Sequence, residues 1–388
     1  MPNGPPRRVT MLVRNAMTHD SRVEKEAHSL STAGYLVTVI AETGRGLPEV
    51  EERDGYRIVR IARPAIGLRG VRLLLHLRGL ERALVATRPQ ILHAHDSDAL
   101  APVARVAQRL RIPFILDAHE LWLGRQPRGR GRIYSSLFWL FYALVERRHV
   151  PRAAGHITVS PVIARYLEGR YGVGPVTLVP NYPELEPGPP RRLELRELPG
   201  GRQLPDGVPI VLHLGSAMPG RGVEQVVQAL ALLPGVHLVL LGAGDTGLRM
   251  RAGVAAAHGV ADRVHVLPPV ATKDVVAAAA GATIGVAPII PDTPNNAASM
   301  PNKLFQYLAA GLSVVVSDLP QLRAVVAESG AGIAVDTREP RNIAAAIAEL
   351  LADPARLAER GRLARSAVEE RYGWPLAARE LLNVYRHL

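Results

Sequence analysis

The string NNAASMPNKLFQYLAAGLSVVVSD, Asn295 to Asp318, joins a loop of small polar residues to a predicted helix with Lys303 in its first turn. An ammonium there opposes the positive end of the helix dipole, so an anionic ligand is the expected compensation. Phe305, Leu308 and Ala309 form the predicted buried stripe, which leaves Lys303 and Gln306 to project elsewhere. Earlier in the chain, HLGSAMPGRGVEQVVQAL, His213 to Leu230, reads as strand, loop and helix. Gly215, Gly220 and Gly222 allow close backbone approach to a ligand, and Arg221 stands where a cation reaches a diphosphate at the helix start. The plain alternatives are a solvated lysine on an ordinary capped helix and a commonplace glycine-bearing turn.

A second constellation lies in the first half. HAHDSD (His93 to Asp98) and DAHE (Asp117 to Glu120) close two successive predicted strands, so their side chains are expected to converge. Imidazole and carboxylate groups suit divalent ions, and His93, His95, Asp96 and His119 therefore admit a metal-dependent hydrolase as a competing reading. Asp96 and Ser97 equally suit helix capping, and Asp20 and Arg22 read as an N-cap and a local ion pair. Gly242-Ala243-Gly244 follows a strand but lacks the third glycine of a dinucleotide fingerprint, which sets an oxidoreductase aside.

The elements that must position these residues alternate along the whole chain. Buried-strand runs are predicted at Val9–Asn15, Tyr35–Glu42, Tyr56–Ile61, Ile91–His95, Phe114–His119 and His156–Ser160. The segment from Asn181 to Gly207 is rich in Pro, Gly and charge and reads as an interdomain connection. Six more strands are predicted at Ile210–Gly215, His237–Gly242, Arg263–Pro268, Ala282–Ile289, Leu312–Asp318 and Gly332–Asp336. Continuous apolar strands between helices indicate parallel sheet covered on both faces. The expected fold is α/β, two Rossmann-like doubly wound domains facing across a cleft. Residues 1–182 and 208–372 are the domains, 183–207 the linker, and 373–388 a helix returning to the first domain.

Composition narrows the chemistry. The 388 residues include no cysteine, which removes disulfides, zinc-thiolate sites and cysteine nucleophiles. Aromatics are only 4%, so aliphatic residues and alanine must fill the core, as closely packed α/β layers allow. The N-terminal MPNGPPRRVT has no apolar signal core, and no run reaches the ~20 apolar residues of a membrane span, so a cytoplasmic protein is expected. The net charge of +12 calls for nucleic acid, an anionic membrane or phosphorylated small molecules as partner, unless it reflects base composition of the genome.

PNKLFQYLAAGLSVVVSDLP resembles the donor-site signature of family 4 glycosyltransferases of the GT-B fold. DSRVEKEAHSL (Asp20 to Leu30), DAHELW (Asp117 to Trp122), ITVS (Ile157 to Ser160), VPNYP (Val179 to Pro183) and the closing Trp374 helix extend the resemblance in order over nearly the whole chain. The resemblance implies retaining hexosyl transfer from a nucleoside diphosphate sugar to a hydroxyl acceptor, with no metal, no other cofactor and no protein nucleophile. Arg221 and Lys303 would clamp the diphosphate, and Gln306 would meet the ribose. Gly215 and Ser216 would lie along the donor, backbone at Leu267 and Pro268 would flank the base, and Asn295, Asn296, Ser299 and Leu304 would complete that site. His119 would contact reacting hydroxyls, with Asn15, His95, Asp96 and Glu120 towards the acceptor. Two positions depart from the family: Ala298 and Gln306 stand where it usually has glutamates, so a catalytically degenerate sugar-nucleotide-binding protein is an alternative.

RQPRGRGRIYSSLFWLFYALVERRHVPR, Arg125 to Arg152, sets seven arginines and five aromatics against the single acid Glu146. Most of its helix is expected to pack inside, while the Arg-rich approach meets anionic head groups or a lipid-linked acceptor at a membrane's inner face. The aromatics are not interleaved as stacking platforms, so nucleic acid is not the expected partner.

Overall fold

Apolar runs buried on both faces become parallel strands, and the amphipathic segments between them cover the sheet. The computed structural model describes residues 5–18, 20–63, 69–125 and 132–388. Met1–Asn181 with Ala377–Leu388 form one unit and Tyr182–Leu376 the other.

The first unit runs β1 (Arg8–Leu12), α1 (Ser21–Thr32), β2 (Leu36–Glu42), β3 (Val50–Arg53), β4 (Tyr56–Ile61), α2 (Arg69–Ala86), β5 (Ile91–His95) and α3 (Ser97–Leu110). It continues through β6 (Phe114–Ala118), α4 (Arg132–His149), β7 (Gly155–Thr158), α5 (Pro161–Tyr171) and β8 (Thr177–Leu178). The sheet order is β3-β4-β2-β1-β5-β6-β7-β8. Among the described strands only the β3–β4 pair is antiparallel. Its VEER sequence carries no apolar run, which is why sequence pattern alone misses β3; the buried Arg60 guanidinium, 2.6 Å from Glu51, pins it. The winding reverses between β1 and β5, the place where such folds open a crevice at the strands' carboxyl ends.

The second unit contains β9 (Ile210–Leu214), α6 (Val223–Leu230), β10 (His237–Leu241), α7 (Gly244–Met250), β11 (Val264–Leu267), α8 (Val275–Ala279) and β12 (Ile284–Ala287). Then come α9 (Pro294–Ala298), α10 (Asn302–Ala309), β13 (Ser313–Ser317), α11 (Pro320–Ser329), β14 (Gly332–Val335), α12 (Pro340–Ala352) and α13 (Pro354–Glu370), while α14 (Trp374–Arg386) belongs from Ala377 onward to the first unit. Six parallel strands lie in the order β11-β10-β9-β12-β13-β14, with the reversal between β9 and β12.

The expected linker is part of this second unit. Leu195 and Leu204 lie in its core, and the Leu193 N–H donates to the Ala277 carbonyl at 2.9 Å. Proline and glycine set the turns of 183–207, but its leucines decide where it packs. The expectation that most of α4 is interior also fails. Its carboxyl half, at Val145, Glu146 and His149, is buried, whereas its amino half is exposed at Leu137, Leu140 and Phe141. Arg128 and Arg130 of the expected lipid-facing approach lie outside the described residues.

Candidate active site

In the second unit the reversal of strand order is held open by one phenol. β12 pairs with β9 only at Ile284 and Gly285, so the two strands diverge towards their carboxyl ends. Tyr307 of α10 fills the fork, and a Cβ on Gly285 would come within 2.4 Å of its ring. Its hydroxyl accepts from the Leu214 N–H at 2.8 Å and donates to the Val286 carbonyl at 3.3 Å. Both backbone groups would otherwise be buried without a partner, at a cost of ~1–3 kcal/mol each.

Loops after β9 and β12 close over this fork. Gly220 and Gly222 have positive φ, and a Cβ would collide with Asn296 at the first and with the Pro288 carbonyl at the second. Gly222 caps α6 and offers no side-chain acceptor, leaving the helix's first N–H groups for other partners. Lys303, three residues before Gln306 on α10, places Nζ 3.0 Å from Nε2 of His213 in β9. His213 is fully buried, and burial together with Lys303 keeps its imidazole neutral. Burial, reinforced by the like charge of Arg221, brings Lys303 down to about 7. No acid pairs with Lys303 or Arg221 among the described residues. Two unpaired cations beside a helix start make a site for a multiply charged anion.

The remaining expected donor residues divide. Gly215 lies at the turn after β9, with φ +84°. Ser216 is exposed beside His213, which its carbonyl approaches at 3.3 Å. Leu267 is buried, so only backbone there, with the exposed Pro268, is available to a ligand. The Leu304 side chain is wholly buried in the core, so only its backbone is available to a ligand. Asn296 donates to Asp292 at 2.7 Å, and Ser299 donates to the Asn296 carbonyl at 2.8 Å, so both side chains brace their own loop. Asn295 adjoins them. Gln306 is half-buried, and its amide meets no partner among the described residues. Gln321, which sequence pattern did not single out, ties this loop down by donating to the Ala297 and Ser299 carbonyls at 2.8 and 3.0 Å.

The first unit gathers a buried charge cluster at its own reversal. Asp20 caps α1 as expected, accepting from the Val23 N–H at 3.2 Å. Arg22 makes more than the expected local ion pair with Glu26, four residues on. Its guanidinium donates to both oxygens of Asp117, 95 residues further on, at 2.9 and 2.7 Å, and lies 3.0 Å from Glu26. Burial alone would raise Asp117, but Arg22 and His119 outweigh it and hold the carboxylate well below its ordinary range. Glu26 stays raised, because burial outweighs Arg22 there. Parallel register sets His95 beside Asp117, and the His93 and His95 rings stack at 4.3 Å. The hydroxyl of Tyr385, on α14, lies 2.6 Å from His93 Nδ1.

Ligand atoms of Glu26, His93, His95 and Asp117 lie within 4.8 Å of one another. The expected quartet is different, since Asp96 and His119 are not in this group and Glu26 and Asp117 are. A cation already fills it: Arg22 takes both Asp117 oxygens, and a divalent ion would face that guanidinium at contact distance. The hydrolase reading falls on this geometry. Asp96 does not cap α3 with its side chain; instead it accepts from the His119 and Glu120 N–H groups at 2.8 and 3.3 Å.

His119 is the cluster's half-buried edge. Nε2 lies 2.8 Å from Asp117 and Nδ1 3.6 Å from Asp96. Burial would lower it, but these two carboxylates raise it to about 10, so the ring is an imidazolium at neutral pH. His95 is buried, which removes its side chain from direct acceptor contact. Asn15 is exposed but donates to Asp20 at 2.7 Å and accepts from the Met17 N–H at 2.8 Å. Glu120 pairs with Arg125 at 3.0 Å.

Residues 21–186 match the family model for Glycosyltransferase Family 4, and residues 208–353 that for Glycosyl transferases group 1. The chain belongs to glycosyltransferase family 4. Among curated relatives of this family 4 chain, a D-inositol 3-phosphate glycosyltransferase of Xylanimonas cellulosilytica is 34% identical over 50% of the chain and 45% of its own length. The chain thus spans under half of that relative. A GDP-mannose-dependent alpha-(1-6)-phosphatidylinositol monomannoside mannosyltransferase of Mycobacterium tuberculosis is 25% identical over 92% of the chain and 91% of its own. The sucrose-phosphate synthase of Thermosynechococcus elongatus shares the two-domain GT-B fold, with a TM-score of 0.76, 21% identity and 98% of each chain covered.

Proposed function

We propose that the protein transfers a hexosyl group, with retention and without a metal, from a nucleoside diphosphate sugar to a hydroxyl acceptor. The acceptor is a lipid-linked or cell-envelope glycan, which places the work in polysaccharide biosynthesis at the cytoplasmic face of a membrane. The observation that carries the reading is the pair of uncompensated cations, Lys303 and Arg221, at the strand reversal of the second unit. Family membership supports the reaction class, and the mannosyltransferase relative's own GDP-mannose supports the donor class.

The chemistry follows from charge. Negative charge grows on the diphosphate as the glycosidic C–O bond breaks, and Lys303, Arg221 and the start of α6 neutralise it as it develops. His119, already an imidazolium, donates to a sugar oxygen but has no lone pair to take a proton. In the proposed retaining transfer the acceptor's proton goes to the departing phosphate oxygen, on the same face as the attack. The degenerate alternative turns on Gln306. Gln306→Glu should tighten donor binding several-fold if this side chain meets the ribose diol, since a charged acceptor strengthens such bonds roughly twofold. Calorimetric titration checks it; weaker or unchanged binding counts against the ribose contact.

Donor affinity as a function of pH tests the clamp. Free Lys303 titrates at about 7, and a bound diphosphate draws it into the ammonium form. Binding therefore takes up a proton once the pH exceeds 7, and affinity should fall up to about tenfold per pH unit. In the free protein the sign is opposite for stability. The folded pKa is depressed, so between pH 7 and 10.5 the unfolded chain holds the proton, and the penalty Lys303 imposes on folding is progressively relieved as pH rises. A flat affinity profile from pH 6.5 to 9, by titration in buffers of different ionisation heat, would remove Lys303 from the donor site.

A further inference from the structure

α2 and α4 follow strands β4 and β6, and both pack on α3 with their carboxyl halves. Leu80 and Leu84 of α2 and Val145 of α4 are buried there. Arg105 of α3 pairs with Glu81 at 2.7 Å, and Ser97, in the first turn of α3, donates to Glu146 at 2.6 Å. The bond from the start of α3 to the end of α4 means that the amino half of α4 overhangs α3. The amino half of α2 is likewise uncovered.

Each uncovered half carries an apolar stripe at helical spacing. On α2, Val71, Leu74 and Leu75 are 50%, 48% and 46% exposed, and Leu73, off that face, is 49% exposed. On α4, Leu137, Leu140, Phe141 and Leu144 are 61%, 57%, 44% and 58% exposed. Spacings of three, four and seven place each set on one face of its helix. Apolar stripes on a water-facing helix need an occupant. Charge says which. Arg72 and Arg78 on α2 and Arg147 and Arg148 on α4 are exposed and form no ion pair among the described residues. The two acids of these helices, Glu81 and Glu146, are both engaged.

We infer that α2 and α4 together form a two-helix surface that lies on an anionic bilayer, their leucine stripes entering the head-group boundary and the arginines meeting lipid phosphates. No described helix is long and apolar enough to cross a membrane, so contact is interfacial. The inference rests on the membrane reading above and deepens it: the docking element is a pair of helices, with α2, outside the Arg125–Arg152 segment, an equal partner.

Co-sedimentation with phosphatidylcholine vesicles, with and without 30% phosphatidylglycerol, tests it. Wild type should bind the anionic vesicles and bind pure phosphatidylcholine about tenfold or more weakly. Leu74→Gln with Leu75→Gln, and separately Leu140→Gln with Phe141→Gln, should each weaken binding about tenfold, while stabilisation by a nucleoside diphosphate sugar is kept. If only the α4 pair matters, the two-helix surface is wrong and the membrane reading survives. If wild type ignores both vesicle types, both fall. Sedimentation velocity run alongside detects a second copy as occupant: a dimer broken by these substitutions, with no vesicle binding, also overturns the inference.

Discussion

Lys303→Met should lower kcat by about 100- to 1000-fold, the usual loss when one preorganised stabiliser of developing charge is removed, without lowering the melting temperature. The two halves of this expectation have one cause. Lys303 is held next to Arg221 and a neutral His213, in surroundings that bring its pKa to about 7. A structural lysine would not be kept there, because the folded chain gains nothing from two adjacent cations. Methionine fills similar volume and removes the repulsion, so the variant should melt at the same temperature as wild type or higher. Donor-induced stabilisation should vanish with the activity. A variant that melts lower and keeps its turnover would make Lys303 a structural residue.

The opposite signature is expected for Arg22→Met, which should destabilise the first unit by about 3–5 kcal/mol, the cost of leaving buried charge unpaired. Arg22 is the counter-charge for Asp117 and lies 3.0 Å from Glu26, and all three are buried. Without it Asp117 keeps only His119 as a cationic neighbour. The folded Asp117 pKa is depressed, so its contribution is present above the ordinary aspartate pKa and is lost as acid titrates the folded carboxylate. The variant should therefore lose most of its deficit towards low pH, where wild type also forfeits the pair. Combining Arg22→Met with Asp117→Leu should cost less than the sum of the two single changes, because the partners leave together. Chemical denaturation of the three variants at pH 7 measures this, with additivity as the contrary result.

How far the sequence reached depended on how local each signal was. Lys303 and Gln306 were legible because loop, helix start and buried stripe are contiguous from Asn295 to Asp318. The six strands of the second unit were legible as aliphatic runs between turn residues. Arg22 was not, since nothing near α1 announces a partner on β6. His93 and His95 read as converging polar groups, but alternate residues of a central strand share one covered face, so both are buried. Leu304 read as a ligand contact from its place in the string, while helical geometry turns it to the core. The 183–207 segment misled by composition, its few leucines outweighing its prolines. Tyr307 and Gln321 act through backbone groups of distant loops, and no pattern along the chain marks those.

The central claim, that the second unit binds a nucleoside diphosphate sugar through Lys303, is tested most directly by thermal stabilisation. Wild type and Lys303→Met would be melted with a panel of such sugars, with and without chelator. A donor at about 100 times its dissociation constant should stabilise wild type by roughly 2.7 kcal/mol, chelator or not, and leave Lys303→Met unmoved. Equal stabilisation of both proteins, or stabilisation by a divalent ion and by no donor, would contradict it.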